Sequence, residues 1–259
     1  MRDPALASVY VDYFNETHGM VRDTMRRFVN EAVKPHIDEW EEAGAFPREI
    51  YPQAGSLGLL SIGHPTEFGG SGEQDVFLKV AASEELMRSG SGGFVASLGS
   101  LDIGLPPVWR TGSEALKARI VPQVLAGEKI IALAITEPSG GSDVANLKTR
   151  AVRDGDHYVV NGSKTFITSG ARADYYTVAV RTGEAGFGGV SLLLIEKGTP
   201  GFTVGRNLKK MGWWASDTAE LFFEDCRVPV GNLIGPENAG FMLIMSNFQA
   251  ERLALAVMA

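Results

Sequence analysis

At 259 residues, 44% of them hydrophobic, the chain is long enough for one large domain or two small ones around a sizeable core. It carries 31 acidic against 24 basic residues, a net charge of −7, and no run of five or more Lys and Arg, which removes the attraction that nucleic acids or anionic membrane surfaces require. A single cysteine, Cys226, excludes an intramolecular disulfide and fits a reducing compartment; with no basic-then-apolar leader and no stretch of eighteen apolar residues, the expectation is a cytoplasmic protein without membrane insertion.

From Val9 to Trp40, Val21, Met25, Phe28 and Ala32 recur at steps of three and four with charged residues between them, a helical stripe that Pro35 should bend or end. A shorter helix begins near Pro47 and stops by Gly55 or Gly58. A glycine-rich loop spans Pro65 to Gly72. Residues 74–88 and 94–109 read as two further helices, the second kinked or stopped at Pro106 and Pro107. Ser113 then caps a helix whose Leu116, Ile120 and Val124 share a face, and Gly127 closes it. Residues 1–127 are therefore expected to be an all-helical domain.

Beyond Gly127 the period changes from 3.6 to 2. Asp154 and Gly155 separate two short alternating runs, and Asn161 and Gly162 read as a second tight turn into the next strand. Runs near 175–180, 190–195, 202–205 and 219–223 continue the pattern, which predicts an antiparallel sandwich or barrel over 128–235. No G-x-G-x-x-G follows a strand and opens a helix, so a nicotinamide-binding unit is not expected. Residues 236–259 return to helix, with Phe241, Ile244, Phe248 and Leu255 on one face and no Gly, Pro or basic last turn before Ala259; the expectation is the first helix of a C-terminal helical domain cut short. The fold class is thus α+β and multidomain.

Two stretches stand out chemically. Residues 133–143, Leu-Ala-Ile-Thr-Glu-Pro-Ser-Gly-Gly-Ser-Asp, are an apolar strand that stops at Glu137 and Pro138 and is followed by small residues with free amides, suited to a flat or phosphorylated ligand. Residues 161–168, Asn-Gly-Ser-Lys-Thr-Phe-Ile-Thr, again end in a threonine, so Thr136 and Thr168 would face one cavity; ordinary strand threonines are the alternative. Glu251 lies seven residues after Ile244 and four before Leu255, which puts its carboxylate in an apolar stripe, where burial raises the pKa towards a value suited to a general base. A structural ion pair, for instance with Arg252 of a neighbouring chain, is the other reading. His18, His36, His64 and His157 lack metal-ligand spacing, no G-x-S-x-G elbow occurs, and no metal is expected.

These linked motifs resemble the flavin-binding signature of the acyl-CoA dehydrogenase family, and the resemblance runs the length of the chain. It implies FAD as cofactor, lined by Leu133, Ile135, Thr136, Gly141, Ser142, Phe166, Ile167 and Thr168, with Thr136 and Thr168 near the pyrimidine edge and N5 of the ring and Ser142 reaching the pyrophosphate or the pantetheine arm. Phe166 departs from the family's commoner Trp, and Ser169 from its commoner Asn. The segment Phe248-Gln-Ala-Glu251-Arg252-Leu253 is similar to the long-chain and isovaleryl types, which place the catalytic glutamate here. That implies Glu251 as base, with Gln249 and Arg252 touching substrate or orienting it. Residues 212–218 resemble a family strand near the substrate mouth; packing of Trp213 and Trp214 is the alternative.

The implied activity is α,β-dehydrogenation of an acyl-CoA to the trans-2-enoyl-CoA, with β-hydride transfer to flavin N5, an electron-transfer flavoprotein as acceptor, and a homotetramer or homodimer when complete. Because the family completes its flavin site with later helices, the chain as given is expected to bind FAD weakly or not at all. A flavin oxidase or monooxygenase on the same fold, and a non-catalytic scaffold fragment, remain open at this point.

Overall fold

The computed structural model describes residues 13–72 and 75–259, so the expectations for Val9 and for Gln74 fall outside the described residues. The chain opens on helix α1 (Glu16–Phe28), started by a reciprocal cap in which Asn15 and His18 each accept from the other's backbone amide. Pro35 interrupts the stripe as expected. The backbone widens into one π turn (Val29–Val33), tightens into a 3₁₀ turn (Lys34–His36) and resumes as α2 (Ile37–Ala43). Proline has no amide to donate and its ring crowds the preceding turn, which accounts for the irregularity.

Helix α3 (Ile50–Ser56) and α4 (Val76–Met87) follow. Glu85 of α4 is wholly buried and receives both Arg26 Nε and Nη2, at 3.0 and 2.7 Å, while Arg22 pairs with Glu84, so α4 is clamped against α1. Residues 94–109 do not form one helix. They form three short ones, α5 (Gly92–Leu98), α6 (Leu101–Gly104) and α7 (Pro106–Thr111), because Gly99 and Ser100 break the first and Pro106 and Pro107 withhold amides from the second. The helix α8 (Glu114–Leu125) starts on Ser113, whose Oγ accepts the Leu116 amide, and ends before Gly127 at φ +74°.

The eight strands that follow are β1 (Ile131–Ala134), β2 (Arg150–Asp154), β3 (His157–Thr168), β4 (Tyr175–Arg181), β5 (Val190–Glu196), β6 (Phe202–Asn207), β7 (Thr218–Pro229) and β8 (Leu233–Ile234). They join one mostly antiparallel sheet in the order β6-β7-β3-β2-β4-β5-β8, with β1 added parallel to β4 in the register Ile131 opposite Tyr175. Strands β4 and β5 are buried on both faces, covered by α6, where Thr177 Oγ1 donates to the Gly104 carbonyl, and by the final helix.

The turn expected at Asn161 and Gly162 is absent. β3 runs unbroken through both, with a shift of register against β7 between Val160 and Gly162. The Asn161 amide side chain both donates to the Asp225 carboxylate and accepts the Asp225 amide, which holds the residue across the sheet. Gly162 at φ +145° lies where a side chain would come within 2.7 Å of Thr149. The dipeptide therefore makes a bulge, the other use of a positive-φ residue in a strand. The turn at Asp154 and Gly155 forms as expected, with Asp154 opposite His157. Helix α9 (Gly240–Met258) closes the description, and no described helix is long and apolar enough to cross a membrane.

Candidate functional site

The two threonine-bearing segments are brought side by side. The Thr165 amide donates to the Thr136 carbonyl at 2.9 Å, and residues 137–140 close a tight turn with reciprocal bonds between Glu137 and Gly140. That turn leaves the amides of Gly141 and Ser142, both exposed, outside its own hydrogen bonds.

Beneath it lies a buried ion pair that the sequence reading passed over. Lys164 is 1% exposed, and its Nζ donates to Glu137 Oε1 and to the Ile135 carbonyl, both at 2.9 Å. Glu137 also accepts the amides of Lys148 (2.6 Å) and Thr149 (2.8 Å). Burial opposes its ionisation, but Lys164 and these donors outweigh that and hold the carboxyl down at about 2. Burial pulls the Lys164 ammonium down to about 8, which leaves both partners charged at neutral pH. The pair ties the chain just after β1 to β3, and no local sequence pattern couples Glu137, at the end of one apolar run, to Lys164, between Ser163 and Thr165.

At the far end of β3 the backbone is irregular where the site needs it. Phe166 and Ser169 both stand at φ +59°, on either side of Ile167 and Thr168, and the register against β7 shifts between Lys164 and Ile167. The result is that the Phe166 ring is 67% exposed while Ile167 is packed in the core and Thr168 is half-buried. The turn after Thr168 is held by Asp217, whose carbonyl accepts the Ser169 amide and whose Oδ2 accepts the amides of Ala171 and Arg172. Burial raises the Asp217 pKa against these donors.

Thr168 opens onto a cavity of about 210 Å³ between α4, α5, α6 and α9. Its wall is mostly apolar, including Leu60, Leu86, Val95 and Leu98, and Trp213 closes one side. Trp213 reaches it because α5 begins with two glycines; a side chain at Gly93 would lie 2.7 Å from the Trp213 backbone. Glu251 projects from α9 into the same cavity, and burial raises its pKa, with Arg252 opposing.

Of the other residues singled out from sequence, Gln249 and Arg252 lie on the exposed side of α9 and Ser142 is exposed on its loop; none of the three lines this cavity. Thr136 is half-buried against Gly141 and does not line this cavity, so the expectation that Thr136 and Thr168 share one cavity is not met here. Ile135 is buried and Leu133 half-buried, so Ile135 offers a ligand little beyond its backbone. The cavity lining also includes Lys79 and Asp102, two charged residues that no motif in the sequence singles out.

Residues 15–128 match the family model described as acyl-CoA dehydrogenase, N-terminal domain, and residues 132–226 the one described as acyl-CoA dehydrogenase, middle domain. The chain belongs to the acyl-CoA dehydrogenase family. It is 42% identical over 249 residues to the mitochondrial long-chain specific acyl-CoA dehydrogenase of Sus scrofa, an alignment covering 95% of this chain and 57% of that protein. Among solved structures, a probable acyl-CoA dehydrogenase from Mycobacterium abscessus matches with a TM-score of 0.92 at 51% identity, over 95% of this chain and 65% of that one. A glutaryl-CoA dehydrogenase from Mycobacterium smegmatis in complex with FADH2 matches with a TM-score of 0.87 at 29% identity, over 95% and 62%. The chain thus spans somewhat over half the length of the relatives it matches.

Proposed function

We propose that the protein containing this chain is an FAD-dependent acyl-CoA dehydrogenase, converting an acyl-CoA thioester to its trans-2-enoyl-CoA, with Glu251 as the base. The observation that carries this is the meeting of Glu251 and Thr168 in one largely apolar cavity. Its carboxylate accepts the α-proton, and the apolar wall that raises its pKa makes it a stronger base than a solvated glutamate. FAD, when bound, supplies the oxidant for the α,β carbon–carbon bond. The residues fit that group in two respects: the unused amides of Gly141 and Ser142 offer donors to an anionic or carbonyl edge, and the exposed Phe166 offers a ring face beside Thr168. Leu133, Ile135, Thr136 and Ile167 would form the rest of the flavin wall, and Ser142, Gln249 and Arg252, facing outward, would meet the polar parts of the thioester substrate or a neighbouring subunit.

Domain limits at 127/128 and 235/236 are part of this proposal: a helical unit, a sheet unit and the first helix of a C-terminal helical unit. An electron-transfer flavoprotein as acceptor and a homotetramer or homodimer belong to the same proposal. Product analysis of the full-length protein with and without oxygen tests it. Anaerobic conversion of acyl-CoA to enoyl-CoA with stoichiometric flavin bleaching is expected, whereas formation of product only with O2 would indicate an oxidase or monooxygenase.

A further inference from the structure

Gly141 and Ser142 sit in the loop between β1 and β2, and a single side chain joins the two ends of that loop. Glu137 Oε2 accepts the Lys148 amide at 2.6 Å and Oε1 the Thr149 amide at 2.8 Å. Among the described residues no backbone hydrogen bond joins these ends. Within the closed loop Gly141 folds back over Thr136, where an added side chain would come within 3.1 Å of Thr136 Cγ2. Arg181 braces the outer side, its Nε and Nη2 donating to the Leu147 and Ala145 carbonyls at 3.0 and 2.6 Å. Lys164 fastens the whole to β3, since its Nζ reaches both Glu137 Oε1 and the Ile135 carbonyl at 2.9 Å. The loop amides, Thr136, Phe166 and Thr168 therefore all lie within five residues of Glu137 or Lys164.

Stability alone does not account for the pair. Glu137 is 5% and Lys164 1% exposed, and replacing such a buried pair by well-packed apolar side chains of similar volume is commonly neutral or stabilising. An apolar pair cannot accept two amides from a loop that faces solvent. We propose that Glu137 and Lys164 are positioning residues for the cofactor, holding residues 137–149 closed before FAD binds so that the Gly141 and Ser142 amides are already in place; this rests on the flavin assignment above. Where the loop is open, binding must first close it, and the apparent affinity falls by the fraction of molecules that are closed.

Full-length apoprotein is titrated with FAD, following the quenching of flavin fluorescence, and the thermal unfolding of each apoprotein is measured alongside. Glu137→Met/Lys164→Met should melt within about 5 °C of wild type while its Kd for FAD rises at least tenfold. Glu137→Gln/Lys164→Met keeps a carbonyl oxygen for the loop amides and should recover about threefold or more of that loss. Hydrogen exchange of the wild-type apoprotein tests the same claim without a variant. The Lys148 and Thr149 amides should exchange about 100-fold or more slower than unprotected amides, with or without FAD. A Kd within about threefold of wild type in the Met/Met variant, an equal loss in the two double variants, or fast exchange at these amides in the wild-type apoprotein overturns the positioning role and leaves the dehydrogenase reading intact. Should the Met/Met variant not fold, the exchange result decides. If the wild-type full-length protein binds no FAD, the flavin assignment itself fails.

Discussion

Glu251 stands where its charged form is disfavoured. Its folded pKa lies above the ordinary 4.5, so its share of stability is fully present below that value and is lost as pH rises through the folded one. A Glu251→Gln variant should therefore melt no lower than wild type at pH 7, while turnover falls about 10²- to 10⁴-fold. The acid limb of the wild-type rate profile should lie above the ordinary glutamate range, since the base works only when ionised. Glu137 has the opposite sign. Its pKa is depressed to about 2, so the stability it contributes is present above 4.5 and is lost as pH falls from there towards 2. Lys164→Met leaves that carboxylate buried with the Lys148 and Thr149 amides and a long contact from the Ser139 hydroxyl but no cation, and denaturant titration should show a loss of about 3–5 kcal/mol. Helical spacing places Glu251 in the stripe of Ile244 and Leu255, but it leaves a structural ion pair equally open, and the role as base rests on the family resemblance. The partnership of Glu137 with Lys164 was not legible, since 27 positions separate them and no local pattern couples the two.

Among the elements, β3 and the start of α5 decide the site. β3 carries two irregularities, and the sequence signal at Gly162 was read as a turn when it makes a bulge, because the same positive φ serves both and only the strand across the sheet distinguishes them. Helix breaks at Gly99 and Pro106 were partly legible from the prolines, yet the separation into three pieces depends on what each packs against. At the start of α5, Gly92 and Gly93 let the Trp213 segment approach, and no spacing rule signals that contact. Gly93→Ala would place a methyl group 2.7 Å from the Trp213 backbone; we expect a loss of about 1–3 kcal/mol in chemical denaturation. Trp213 should also become more exposed, shifting the emission of the folded protein to the red.

For the molecule as a whole, the order of a helical domain, a mostly antiparallel sheet and a closing helix could be read from periodicity. The parallel pairing of β1 with β4 could not, because strands buried on both faces lose the alternation that reports their neighbours. The cavity exists only where helices from the first domain, Thr168 and Trp213 from the second and Glu251 from α9 converge, so changes in any one of these units should register in the others' function. The most direct measurement is rapid anaerobic mixing of a saturated acyl-CoA with the flavin-loaded full-length protein, wild type against Glu251→Gln. Flavin bleaching should be at least 100-fold slower in the variant while Trp213 emission still reports substrate binding. Bleaching at the wild-type rate would mean that another group removes the α-proton and that Glu251 is not the base.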